Sequence, residues 1–239
     1  MRSNAPSKLT MSYSYPRYDS AFGAPLSRAL GIGYIQELVA RLTHTRIESH
    51  NSSTNSTLDD NSTTFPLDHS LYVDATHEVV VLNSEFDISR ISHSYLATSV
   101  VVIAALNLSS FAANGPLPTD HIPKHRSFRS SELAPFSTNI QFQRESDHRS
   151  FCLENSKSIV LSCPSRERDQ IRVVINDAVA PLTGIEGCPE DADGMCPIPA
   201  FVAAQKKIIS NTDWDWACNG DWDGHDWNTT TGDVPSRPS

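Results

Sequence analysis

Leu71-Tyr72-Val73-Asp74-Ala75-Thr76-His77-Glu78 is a short β-prone run that stops on an imidazole beside a carboxylate. Ser70 to Val73 reads as a buried strand leading into His77. The carboxyl end of a strand is where an α/β sheet presents catalytic side chains, and a His next to an acid supplies positive charge together with a transferable proton. Taken alone, a His-Glu dipeptide after an apolar run is a common accident. The chain on either side gives it weight.

Upstream, Leu30, Tyr34, Ile35, Leu38, Val39 and Leu42 recur at helical spacing between Ser27 and Thr43, with Glu37 and Arg41 four apart on the polar face. Gly31 and Gly33 should weaken the first turns by about 1 kcal/mol each, so close packing or a late start is expected there. Glu48 to Asn61 is a polar loop that should stay solvated. Downstream, Ile171 to Ile175 and Ala178 to Leu182 flank Asn176-Asp177, a pair that tolerates positive φ, and predict a β-hairpin with Pro181 at an edge. Phe136 to Phe142 is a further candidate strand. Pro199 to Ser210 predicts a short helix, with Pro near its first turn and Lys206 and Lys207 towards its end.

The chain has 239 residues, of which 38% are hydrophobic, enough for one domain or two small ones. A formal charge of −9 with scattered Lys and Arg argues against a nucleic-acid or anionic-membrane partner. The longest apolar run, Val100 to Leu106, is far short of the roughly 20 residues that cross a bilayer. Asn51, Asn55, Asn61, Asn107 and Asn228 each begin an Asn-x-Ser/Thr sequon, which points to a secretory setting. Met1 to Ser14 nevertheless lacks the apolar centre of a signal peptide. Nothing in the sequence calls for a cofactor. Zinc is disfavoured, because nine His and five Cys show neither Cys-x-x-Cys nor His-Glu-x-x-His spacing. No Gly-x-Ser-x-Gly elbow supports a serine hydrolase, and the Asp/Trp-rich stretch from Asp213 to Trp227 lacks the ligand order of an EF-hand loop.

Several blocks stand in a telling order: Arg28 to Thr43, Thr57-Leu58-Asp59 with Thr64-Phe65-Pro66-Leu67, the Leu71 to Glu78 stretch, Ile171 to Leu182, Cys188-Pro189, Cys196, and Phe201 to Gln205. Together they resemble the C-terminal part of the fungal histidine acid phosphatases, the phytase-like members of the histidine phosphatase superfamily. The resemblance implies an α/β, phosphoglycerate mutase-like three-layer domain with a mainly parallel sheet, here incomplete, spanning about 26–216. Residues 1–25 would be an irregular N-terminal segment and 217–239 an acidic, Trp-rich, disordered tail. It also implies that the loop between Cys188 and Cys196 is closed by a disulfide. Cys163 and Cys218 would have their usual partners upstream, leaving them orphaned or paired with each other, and Cys152 would be supernumerary.

The same resemblance implies hydrolysis of a small phosphate ester, such as an inositol phosphate, through a phosphohistidine. His77 would hold the phosphoryl oxygens and Glu78 would protonate the leaving group. The demand is electrostatic, since the transferring group spreads negative charge over its oxygens while the departing alkoxide needs a proton. Glu where Asp is commoner adds one methylene of reach. An upstream Arg-His-Gly-x-Arg-x-Pro motif would supply the nucleophile, yet no Arg-His-Gly occurs in the 239 residues. Little or no turnover is therefore expected from this chain alone, and an inactive secreted glycoprotein that keeps the scaffold is the alternative. Residues 79–99 and 144–159 interrupt the family pattern and read as insertions. The sequence does not fix the oligomeric state.

Overall fold

The computed structural model describes residues 21–75, 98–115, 121, 123–133, 135, 137–145, 169–222 and 231–238. Helix α1, Ser27–Thr43, is the hub. It buries Ile32, Ile35, Leu38 and Val39, and also Gln36 and Gly33, so apolar and small polar groups both go inward. It ends on His44 in the left-handed conformation (φ 54°), whose N–H returns to the Ala40 carbonyl. The loop comes close at Gly33, where an added Cβ would stand 2.2 Å from the Ser53 Oγ and force that hydroxyl to turn away. The helix starts on time and packs tightly.

After a single turn, α2 (Ser56–Asp59), comes α3, Thr98–Ala105, which packs along α1. Val102 to Leu106 are all at most 4% exposed, so the second half of this helix is enclosed on every side. Its C-terminus closes with Asn107 at φ 58°, the Asn107 N–H reaching the Ala104 carbonyl and the Leu108 N–H reaching that of Ile103. A 3-10 turn, Ser109–Ala112, and a short helix α4, Ser130–Leu133, follow.

The strands are β1 (Ile140–Glu145), β2 (Gln170–Ile175), β3 (Ala178–Val179) and β4 (Cys196–Pro197). Along its whole length β2 pairs with β1; its other edge takes β3 at one end and β4 at the other. Ile171, Val173 and Ile175 point into the core, the period-2 pattern of a half-buried strand. Asn176 and Asp177 both take positive φ and turn β2 into β3 as the sequence predicts. Helix α5, Ile198–Asn211, carries Pro199 in its first turn and packs on α1 and β2, and α6, Trp214–Asn219, leans Trp214 on the core. A disulfide joins Cys188 to Cys196, while the half-exposed Cys218 carries a free thiol.

The resemblance implies a mainly parallel sheet; every strand pairing among the described residues is antiparallel, and the two-residue turn between β2 and β3 reverses the chain there. Ser70 to Val73 is not a buried strand: it takes no ladder partner among the described residues, and Leu71 and Val73 are 74% and 83% exposed. Within the stretch expected to be a disordered tail, residues 231–238 make contacts with the body: Asp233 pairs with Arg28 at 2.7 Å and the Pro235 carbonyl accepts from the Trp216 indole at 2.8 Å. Strand β1 also includes Arg144 and Glu145, the first two residues of an expected insertion. Residues 79–97 and 146–159 of the two insertions, Cys152, Cys163, Phe136 and Asn228 lie outside the described residues.

Candidate functional site

His77 and Glu78 themselves lie outside the described residues. What is described is the approach to them, and it is anchored by one arginine. Arg41 projects from the last turn of α1, where its guanidinium meets the Asp74 carboxylate with both terminal nitrogens, at 2.5 and 3.1 Å. The same group lies over the rings of Phe65 and Tyr72, 5.0 and 5.1 Å from their centres, and 3.5 Å from Glu37 one turn back on the helix. Its side chain is only 13% exposed. A flat, forked cation near two aromatic rings and paired bidentately with a carboxylate uses the geometry that distinguishes Arg from Lys, although its Nε is buried without a partner.

The charges around it are mutually adjusted. Burial works against the Arg41 cation, but the hydrogen bond and charge of Asp74, then Glu37 and Tyr34, outweigh it and raise its pKa. Burial pushes the Glu37 carboxyl above its ordinary range, with Arg41 opposing and Asp59 and Asp74 adding to the shift. The Tyr34 phenol is pushed up to about 12, first by burial and then by Asp74, against the pull of Arg41. Its ring stands 6.3 Å from that of Phe142 on β1, which ties this cluster to the sheet.

The rest of the 44–75 segment is fixed to α1 by polar contacts of the same kind. Gln36 donates to the Ser49 carbonyl and to the Asn51 side chain, both at 3.0 Å, and accepts from the Ser52 hydroxyl. His44 donates from Nδ1 to the Leu67 carbonyl and accepts at Nε2 from Arg144 at 3.4 Å, while Arg144 pairs with Asp169. His50 sits 3.4 Å from Asp60 and 3.9 Å from the buried Asp59. The loop expected to stay solvated is therefore pinned at several points.

Sequence reasoning paired Arg41 only with Glu37, its neighbour four residues back. Nothing in the spacing signals Asp74 as its main partner. A cleft of about 470 Å³ lined by Asn107, Ser109, Ser110, Thr183, Gly184 and Thr231 lies at the C-terminal end of α3; its described wall offers hydroxyls and an amide but no charged side chain. Among the described residues, no group of three or more His, Cys, Asp or Glu is placed to hold a metal ion, and no helix is long and apolar enough to cross a membrane.

Comparison with known proteins covers most of this architecture. The model of the histidine phosphatase superfamily (branch 2) matches residues 7–176, which include α1, the Arg41–Asp74 pair and the His77-Glu78 dipeptide. Phytase A of Aspergillus awamori is 30% identical over 200 residues, covering 82% of this chain and 34% of the relative. Phytase A of Emericella nidulans is 30% identical over 197 residues, with the same coverage, and Phytase A of Arthroderma benhamiae is 30% identical over 201, covering 83% and 36%. The chain thus spans about a third of the length of these relatives. With more than half its residues inside the family's pattern and Phytase A relatives about 30% identical over 82% of its length, this chain belongs to branch 2 of the histidine phosphatase superfamily, among its phytase-like members.

Proposed function

We propose that this chain carries the acid half of a phosphate-ester-cleaving site, with His77 holding the phosphoryl oxygens and Glu78 protonating the leaving alkoxide. The observation that supports it is the position of the pair inside the matched stretch 7–176. The substrate class is a small phosphate monoester, an inositol phosphate being the example that the relatives' name suggests. The setting is extracellular, and Asn51, Asn55 and Asn61, exposed on the 44–75 segment, are the acceptors for N-linked glycans. Asn107 is not one, because its amide nitrogen donates to the Gly184 carbonyl at 3.2 Å.

Since no Arg-His-Gly occurs in these 239 residues, the chain alone supplies no phosphohistidine and should hydrolyse nothing measurably. That same fact favours the second reading, an inactive glycoprotein that retains the scaffold. Titration of the chain with inorganic phosphate, followed by the NMR signals of its histidines, separates the two. Half a site predicts a shift of the His77 imidazole that disappears in His77→Ala, together with background turnover of p-nitrophenyl phosphate. An unresponsive His77 leaves the scaffold reading standing; turnover abolished in His77→Ala refutes the claim that the attacking half is missing.

A further inference from the structure

We propose that Asn114-Gly115 is a self-modification site, where the asparagine converts to aspartate and isoaspartate in the folded chain while the second Asn-Gly pair, Asn219-Gly220, is held back. The only co-reactant is water. The Gly115 amide nitrogen attacks the side-chain carbonyl carbon of Asn114, the bond from that carbon to the side-chain nitrogen breaks, and ammonia leaves with the glycine proton to close a succinimide ring. Water then opens the ring at either carbonyl. One opening gives aspartate; the other gives isoaspartate, whose main chain runs through the Cβ of residue 114.

The sequence favours both pairs alike, since a glycine carries no Cβ to shield its nitrogen. Their surroundings separate them. Both asparagines are exposed, and both glycine N–H groups are bonded, Gly115 to the Ala112 carbonyl at 2.9 Å and Gly220 to that of Trp216 at 2.8 Å. The difference lies in the side chain that must swing towards that nitrogen. Asn219 is the last residue of α6, and its amide nitrogen donates at 3.1 Å to Asp215, a carboxylate that also takes Arg237 at 3.2 Å. The Trp216 ring lies against Gly220, where an added Cβ would collide with it.

Asn114 has neither restraint. It stands in a turn past the 3-10 segment, no described residue bonds its side chain, and an added Cβ at Gly115 would meet nothing within 4 Å. Only its backbone is held: the Asn114 N–H donates at 3.1 Å to the Ser127 hydroxyl, which donates at 3.2 Å to the Phe111 carbonyl. The side chain can therefore reach the arrangement that attack requires, which the contacts of Asn219 oppose. Conversion would set a carboxylate one residue past Ala113, in the wall of the cleft at the end of α3, and isoaspartate would lengthen the main chain just before the Gly115–Ala112 bond.

The test incubates the whole chain at mildly alkaline pH, folded and in urea, and follows both pairs by peptide mass mapping with fragmentation that tells isoaspartate from aspartate. In the folded chain residue 114 should convert about tenfold or more faster than residue 219, and in urea the two rates should come together. Asp215→Ala should speed residue 219 several-fold in the folded chain and leave residue 114 unchanged. Asn114→Ser should abolish the first signal alone. A folded chain in which residue 114 stays intact, or in which the two pairs react equally, overturns the proposal. A rate ratio as large in urea as in the folded chain traces the contrast to neighbouring sequence and overturns its structural ground, as does a residue 219 that ignores the loss of Asp215.

Discussion

Two sets of contacts on α1 are held by different physics. Ile32, Ile35 and Val39 belong to the same apolar cluster as Val102 to Leu106, where any side chain of the right volume fits within limits. Gln36, Arg41 and His44 instead hold the 44–75 segment through hydrogen bonds and a charged pair that accept only one partner geometry. Burial of the first kind builds the body of the protein and tolerates substitution. Contacts of the second kind place a particular stretch of backbone, and that stretch runs into the proposed chemistry.

The contrast can be broken in graded ways. Ile103→Ala opens a hole where the native side chain is wholly buried, and should cost about 2–5 kcal/mol in a urea titration, unfolding the molecule as a unit. A smaller loss would mean that the seam collapses around the gap. Gln36→Ala strips three hydrogen bonds from the loop and should cost about 1–3 kcal/mol, but amide exchange should rise around residues 49–54 and not in α3. Equal acceleration in α3 would show that the polar and apolar contacts of α1 are not separable.

Two finer probes sharpen the comparison. Gly33→Ala gains up to about 1 kcal/mol of helix preference but sets a methyl against the Ser53 hydroxyl, so it should stabilise clearly only when combined with Ser53→Ala; thermal melts of the single and double variants decide this. Glu37 gives the smallest effect, read as a slope. Burial holds its carboxyl above the ordinary range, so the folded chain takes up that proton at a pH where the unfolded chain has not yet done so. The contribution to stability is fully present below the unfolded carboxylate value and is lost as pH rises through the raised folded value. Glu37→Gln keeps the neutral form at every pH, so its gain in Tm over wild type should be largest near neutrality and shrink on acidification. A difference independent of pH would place the proton elsewhere.

The same division explains what could be read from the chain. Helix α1 runs over the residues that the spacing of Leu30 to Leu42 predicts, and the Asn176-Asp177 turn and α5 are likewise where local signals put them, because period and turn chemistry are properties of neighbouring residues. The Cys188–Cys196 bridge was legible only through the family resemblance. Leu71 and Val73 alternate as a strand would, yet alternation cannot tell whether a partner strand is there to complete a ladder. Arg41 and Asp74 are 33 residues apart with no periodicity linking them, so their contact became visible only in three dimensions.

Arg28 ties together points far apart in the chain. Its guanidinium donates to Asn107 at 3.1 Å and to Asp233 at 2.7 Å, so a single cation clasps the first turn of α1, the end of α3 and the returning segment 231–238. A protease that cut after residue 222 and released that last strap would leave an enclosed positive charge without its counterion. Trimming this protein to its obvious helices and strands would thus remove a neutralising carboxylate, and a shortened version should be less stable than its apolar core suggests.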